Sequence, residues 1–256
     1  MIGVLCSESD LQAFSNRLRY FIELNPSNKN ESMIAFTVSD IDFTKRSVRG
    51  YFITKYNMEM IETPVPPIIF NFVYQPKRAD KKKARILAEH TNVINGVNQF
   101  SQDMIMEILL SSPQTKSMLL KLDTPDLLLN QNSPVMITPY LQRGINGQWN
   151  VLPGMGFPKE LPKERYVHNK LTETINAIAI DIASYISCFI PGLAFCSTSF
   201  VLNQNLNPFF IELQGWNPKM LLTKESHDFQ YSFINHLLEY YKFLQRKKNG
   251  GIDFVD

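Results

Sequence analysis

The sequence predicts an α/β fold with α+β character, and three observations lead to it. The apolar run IGVLC at 2–6 feeds into apolar residues at helical spacing; short β-rich runs then alternate with amphipathic stretches; the last ninety residues read as a long helix, two strands and a second helix.

Ile2–Cys6 reads as a buried strand, and Leu11, Phe14, Leu18, Phe21 and Ile22 follow as the inner face of a helix behind a Ser9/Asp10 cap. Met33–Val38, Val48–Ile53 and Ile68–Tyr74 are three further strands, the last set off by Pro64, Pro66 and Pro67. Asp80–Glu89 is a charged helix, and Ser101–Leu110 a second with Ser101 as its N-cap. Val135–Leu141, the turn RGING and Gln148–Leu152 suggest a hairpin or a short loop-linked pair. The change of texture places a boundary near 115–130, giving an α/β domain over 1–120 and a second domain over 121–256. Leu171, Ile175, Ile178, Ile182, Ile186 and Phe189 mark one face of a long helix that stops at Pro191-Gly192. Phe195–Leu202 and Phe209–Leu213 flank the turn-rich NQNLNP and pair as an antiparallel hairpin, and a last helix covers about Ser226–Arg246.

Composition removes several function classes. With 44% hydrophobic residues, 18 Phe and 10 Tyr the chain has ample apolar surface for a core. A net charge of +2 gives no general field for nucleic acid or anionic lipid. Lys77, Arg78, Lys81, Lys82, Lys83 and Arg85 form a dense basic run, but no nucleic-acid motif accompanies it, and a solvated helix face is its default reading. Three cysteines, Cys6, Cys188 and Cys196, read as free thiols in a reducing, cytoplasmic setting, and the amino terminus lacks the pattern of a signal peptide. The uncharged stretch 182–211 is interrupted by Pro191-Gly192 and by recurring Ser, Thr, Asn and Gln, so no membrane span is expected. His90, His168, His227 and His236 fall at no zinc-ligand spacing, Gly154 and Gly156 lack the rest of a dinucleotide fingerprint, and no nucleophile motif is present.

The most informative segment is FFIELQGWNPK at 209–219. Period-2 geometry puts Glu212 and Gln214 on the face opposite Ile211 and Leu213, and a carboxylate and an amide oxygen at a strand end are the hard ligands Mg²⁺ takes while it bridges nucleotide phosphates. A Glu on the solvated face of an edge strand is the plainer alternative. Trp216 and Pro218 would wall a pocket or anchor packing.

Helix, Pro-Gly, strand, turn, and a strand ending in Glu-x-amide resembles the metal-binding end of ATP-grasp ligases. More narrowly, IGVLCSE at the start, KRSVRGYFI at 45–53, PVPPIIFNFVY at 64–74, the stretch 93–110, INGQW at 145–149 and FFIELQGWNPK occur in the order expected of the YheC/YheD group of endospore coat-associated proteins. The resemblance implies a small α/β preface followed by a reduced ATP-grasp-like domain, with Arg143, Gly144 and Gly147 on the cofactor and Glu212 and Gln214 on the metal. An intact site would use ATP and Mg²⁺ as a carboxylate–amine ligase. Expected partners are spore coat proteins or a longer family member, in the mother-cell cytoplasm or on the coat.

The departures from that pattern point to lost catalysis. Thr138 stands at the apparent position of the family's phosphate lysine, the glycine-rich loop keeps only Gly144 and Gly147, and Ser199 and Asn203 stand where the preceding strand would carry aspartates. Lys116 or Lys121 facing Glu212 would overturn that reading. Only about twenty residues separate Trp149 from the helix near His168; a second registration moves QRGINGQW to a later family segment and removes the phosphate-binding lobe altogether. The expectation is therefore a degenerate ATP-grasp-like scaffold, with a ligase or a half-site completed by a partner as the alternative, and with ATP and Mg²⁺, or neither, as its cofactors.

Overall fold

The computed structural model describes residues 1–24, 31–73, 78–113, 115–116, 135–153, 165–203, 206–216 and 227–248. Two sheets organise the chain. The first has seven strands: β1 (Ile2–Leu5), β2 (Met33–Phe36), β3 (Ile41–Asp42), β4 (Ser47–Ile53), β5 (Met58–Pro64), β6 (Ile68–Asn71) and β7 (Asn92–Ile94). β2, β1, β6 and β7 lie side by side and parallel, while β4 joins β2 antiparallel and carries β3 and β5 antiparallel to itself. β1 and β6 are buried along their whole length, which explains their unbroken apolar runs. Ile2, Val4, Met33, Ala35, Ile68 and Phe70 face helices α1 (Leu11–Leu24) and α5 (His227–Lys248). Leu5, Ile34, Phe36 and Ile69 face the opposite way, with Leu87 of α2 (Arg78–His90).

The second sheet has five strands: β8 (Met136–Ile137), β9 (Tyr140–Arg143), β10 (Trp149–Val151), β11 (Phe195–Leu202) and β12 (Pro208–Gln214). All its pairings are antiparallel. One face, with Leu141, Cys196, Phe200 and Leu213, packs on α4 (Arg165–Ser187) and α3 (Gln102–Ser111). The other gives Tyr140 and Phe195 to the core that holds α1 and α5, together with Trp216 just past β12, so α5 is shared by both sheets.

The expected helices and apolar strands are present, with corrections. β3, β5 and β7 are additional to the strands expected from the sequence: β3 and β7 are two and three residues long, and β5 is an edge strand whose MEMIETP pattern leaves Glu59 and Glu62 in solvent. The run 135–141 is two strands, because Pro139 has no N–H for the ladder and breaks it. Phe189 does not belong to the buried face of α4: the helix ends at Ser187, and Phe189 is 52% exposed, its ring against Tyr185. Gly192 turns the chain there at φ +74°, and a Cβ would stand 3.2 Å from the Val93 carbonyl oxygen. Ser101 occupies the N-cap of α3 through its carbonyl, which accepts the Ile105 N–H at 3.1 Å, while its hydroxyl makes no cap bond. Most of the expected boundary at 115–130, together with Gly154, Gly156 and Pro218, lies outside the described residues.

The three thiols differ sharply. Cys6 and Cys196 are buried, and burial pushes both well above the usual thiol range, whereas Cys188 is exposed after α4. Since the thiolate is the reactive form, brief alkylation of the native protein at pH 8 is expected to modify Cys188 alone, and alkylation in denaturant all three. Mass spectrometry of the peptides reads this, and prompt labelling of Cys6 or Cys196 would contradict the packing.

Candidate functional site

The candidate site is built on β11 and β12. Their register sets Glu212 opposite Ser199 and Gln214 opposite Ser197, so Glu212 and Gln214 share a face, as the alternation in the sequence requires. The register shifts between Ser199 and Phe200, just beyond the Glu212 pair. There the Ser199 hydroxyl lies 3.4 Å from Glu212 Oε1 and donates to it, and Thr138 Oγ1, from the link between β8 and β9, is 3.5 Å from Ser199 Oγ. Thr138, Ser199 and Glu212 thus form a polar row across the sheet, with one carboxylate at its end and two neutral hydroxyls behind it. Ser199 is only 6% exposed, and Glu212 is half-buried.

Gln214 does something different from what its position in the sequence suggested. Its Oε1 accepts the Phe100 N–H at 3.0 Å and its Nε2 donates to the Phe100 carbonyl at 3.1 Å. The side-chain amide stands in for the peptide of a neighbouring strand, and Gln102 Nε2 adds a bond of 2.9 Å to the Ile211 carbonyl. Together they seal the free edge of β12 with the chain entering α3. Asn203 likewise serves the backbone: its Oδ1 accepts the Asn207 N–H at 2.9 Å in the turn between β11 and β12.

Arg143, Gly144 and Gly147 lie elsewhere. Arg143 ends β9 beside Ala194, and its N–H donates to the Ala194 carbonyl at 2.7 Å. Glu212 sits opposite Ser199, five residues further along β11, which is ~16 Å at the rise of a strand, and the alternation puts the two side chains on opposite faces. The Arg143 guanidinium donates to Ser187 Oγ at 2.7 Å and stacks over Trp149 with 5.1 Å to the ring centroid. The glycines shape a tight turn: Gly147 has φ +72°, and a Cβ there would meet Phe243 of α5 at 3.1 Å. A Cβ on Gly144 would stand 3.0 Å from Asn150 Nδ2 and 3.4 Å from His236. The turn is thus packed against α5, and at Gly147 the positive φ favours glycine as well. The structure therefore does not bring the predicted cofactor residues and the predicted metal residues together.

Among the described residues no three His, Cys, Asp or Glu side chains meet in a way that could hold a metal ion. Lys116 is exposed, and Lys121 lies outside the described residues. Burial lowers the pKa of the half-buried His236, with Glu239 opposing. Lys81, Lys82, Lys83 and Arg85 are exposed on α2, while Lys77 and the side chains of Arg78, His168 and His227 lie outside the described residues. No described helix is long and apolar enough to cross a membrane.

Sequence reasoning missed the residues that join the sheets. The Asn95 amide accepts the N–H groups of Ala194 and Phe195 at 2.7 and 3.1 Å and donates to the Phe195 carbonyl at 2.6 Å and to Asn98 Oδ1 at 3.0 Å. Asn98 donates to the carbonyls of Asn71 and Val73, and its own carbonyl accepts the Gly215 N–H. The available signal was Asn95-Gly96, a pair that favours left-handed backbone, and Asn95 has φ +54°.

No family model matches the sequence, and no curated protein matches it. Among solved structures the chain is similar to D-alanine–D-alanine ligase from Coxiella burnetii, at 10% identity over 96% of this chain and 97% of that one, with a TM-score of 0.52. It is also similar to VanG D-Ala:D-Ser ligase from Enterococcus faecalis (10% identity, 93% and 98% covered, TM-score 0.49). A third is N5-carboxyaminoimidazole ribonucleotide synthetase from Thermotoga maritima (8% identity, 93% and 75% covered, TM-score 0.49). The first of these shows the fold: a mixed α/β chain that is ATP-grasp-like over almost its whole length.

Proposed function

From an ATP-grasp-like fold whose candidate carboxylate stands alone, we propose that this chain is a non-catalytic protein of the YheC/YheD type, with a structural or scaffolding role in association with the spore. The observation that carries the reading is the row Thr138–Ser199–Glu212, in which one carboxylate faces two neutral hydroxyls. A site for Mg²⁺-nucleotide must offset both the charge of the metal and that of the phosphates. Here Gln214 is engaged by Phe100, and Arg143, bonded to Ser187, stands ~16 Å along the sheet from Glu212, so the described residues do not fit Mg-ATP. The domain division at 120/121 belongs to the same proposal, with the amino-terminal part as a preface. Coat proteins, or a longer relative, are the partners it suggests.

The rival reading is an ATP- and Mg²⁺-dependent carboxylate–amine ligase, or a half-site completed by a partner. The likeness to ligases supports its general kind, and Glu212 is what such a site would retain. The thermal midpoint separates them. A ligand at a hundredfold excess over its Kd adds ~2.7 kcal/mol of stability, roughly 5–10 °C in a chain of this size. We expect millimolar Mg-ATP to leave the midpoint of the wild type and of Glu212→Ala unchanged. A rise of several degrees that Glu212→Ala abolishes would overturn the scaffold reading and direct the search to a ligase substrate.

A further inference from the structure

The strand order of the first sheet reverses at β1, which has β2 on one side and β6 on the other. In open α/β sheets the crevice outside the carboxyl ends of the strands at such a point is where ligands bind. Here that crevice is a cavity of about 470 Å³ between the ends of β1 and β6, helix α2 and the loop 96–99. Its walls include Leu5, Val38, Val73 and Val97. Lys81, Ala84, Arg85 and Ala88, at helical i, i+3, i+4 and i+7 spacing, bring one face of α2 to it. The two alanines leave the space open and the two cations stand at its rim.

We propose that this cavity binds a small organic anion: an apolar body held against the valines and alanines, with a carboxylate or phosphate held by Lys81 and Arg85. Its size is that of ordinary small-molecule sites, and apolar walls with a few convergent polar groups are their usual lining. Neither cation is in an ion pair among the described residues, so both are available to a ligand. A smaller cavity of about 300 Å³ adjoins it through Val38 and Val73 and carries Glu8 and Asp80. Those acids repel an anion and so keep its charge out of the smaller cavity, on the side of Lys81 and Arg85. The site shares no residue with the Glu212 row and is independent of whether that row binds nucleotide. It also gives the basic run a division of labour: Lys81 and Arg85 line the cavity, while Lys82 and Lys83 do not.

The test is a fluorescence titration with 8-anilinonaphthalene-1-sulfonate, which carries an anionic group on an apolar body, followed by displacement with phenyl phosphate or with benzoate. We expect saturable binding of one equivalent. Lys81→Ala/Arg85→Ala should weaken it at least tenfold and Ala84→Leu should abolish it by filling the cavity, whereas Lys82→Ala/Lys83→Ala, an equal loss of charge on the same helix, should change it less than twofold. Circular dichroism and the thermal midpoint confirm that each exposed-helix variant is folded. Stronger displacement by phenyl phosphate assigns the anion as a phosphate, and by benzoate as a carboxylate. Absence of saturable binding to the wild type, an equal effect of the two double variants, or undiminished binding to Ala84→Leu would overturn the proposal.

Discussion

Asn95→Ala is expected to cost about 4 kcal/mol or more, at roughly 1–3 kcal/mol for each buried polar group left unpaired. Asn95 is 1% exposed, and the N–H and carbonyl of Phe195 and the N–H of Ala194 all depend on it. Phe195 lies opposite Gln142 on one side, but β12 has already ended on the other; the Asn95 amide continues the ladder in its place. The Asn95 backbone N–H also donates to the Gly192 carbonyl at 2.8 Å, so one residue of the first sheet's last loop holds the start of β11 from two directions. Since domains are stable by about 5–15 kcal/mol, the loss takes a large share of the total. Its left-handed backbone adds a second cost for alanine, of about 1–2 kcal/mol, that glycine would avoid. The urea midpoints should therefore rank wild type, then Asn95→Gly, then Asn95→Ala, with the larger step between the first two. A loss of under about 1 kcal/mol in Asn95→Gly would show that the junction does not depend on this amide.

That junction also shows what a single sequence discloses. The helices α1, α4 and α5 follow from apolar residues at the 3.6 period, and β1, β2 and β6 from apolar runs short enough to be strands, because those signals are local. The alternation that pairs Glu212 with Gln214 is equally local and survives in the register. What these amides do is not local. Gln214 is 114 residues from Phe100, and Asn95 is 100 residues from Phe195, so nothing in the neighbourhood of either says that it replaces a missing strand. The same limit explains Arg143, Gly144 and Gly147: a glycine-bearing turn after a basic residue looks like a phosphate loop in sequence, and only the packing of Phe243 and His236 against it shows a turn docked on a helix. The edge strand β5 escaped for the opposite reason, since with much of its length in solvent it carries glutamates where a core strand would carry apolar residues.

Trp216→Ala is the second large effect we expect, about 3–5 kcal/mol, the range for emptying a buried aromatic site. Trp216 is 2% exposed and lies just past Glu212 in the sequence, where the two sheets and α5 meet. Its ring lies 5.3–6 Å from four others: Phe233 at 5.3 Å, Phe195 and Phe229 at 5.8 Å and Tyr140 at 5.9 Å. Its Nε1–H donates to the Cys196 carbonyl at 2.7 Å, so the indole fixes the chain leaving β12 against β11 as well as filling space. The two contributions can be separated. Trp216→Phe keeps most of the packing and loses the hydrogen bond, and should cost about 1–3 kcal/mol, from the lost bond and the space left by the smaller ring. The protein has one other tryptophan, Trp149, so in a Trp149→Phe background the emission of Trp216 alone can be followed. It should be blue-shifted in the native state and move to the red in the same urea transition that far-ultraviolet circular dichroism reports, because one core serves both sheets. Two separate transitions would mean that the carboxy-terminal sheet unfolds independently of the first, and the shared core around Trp216 would then not be what holds them together.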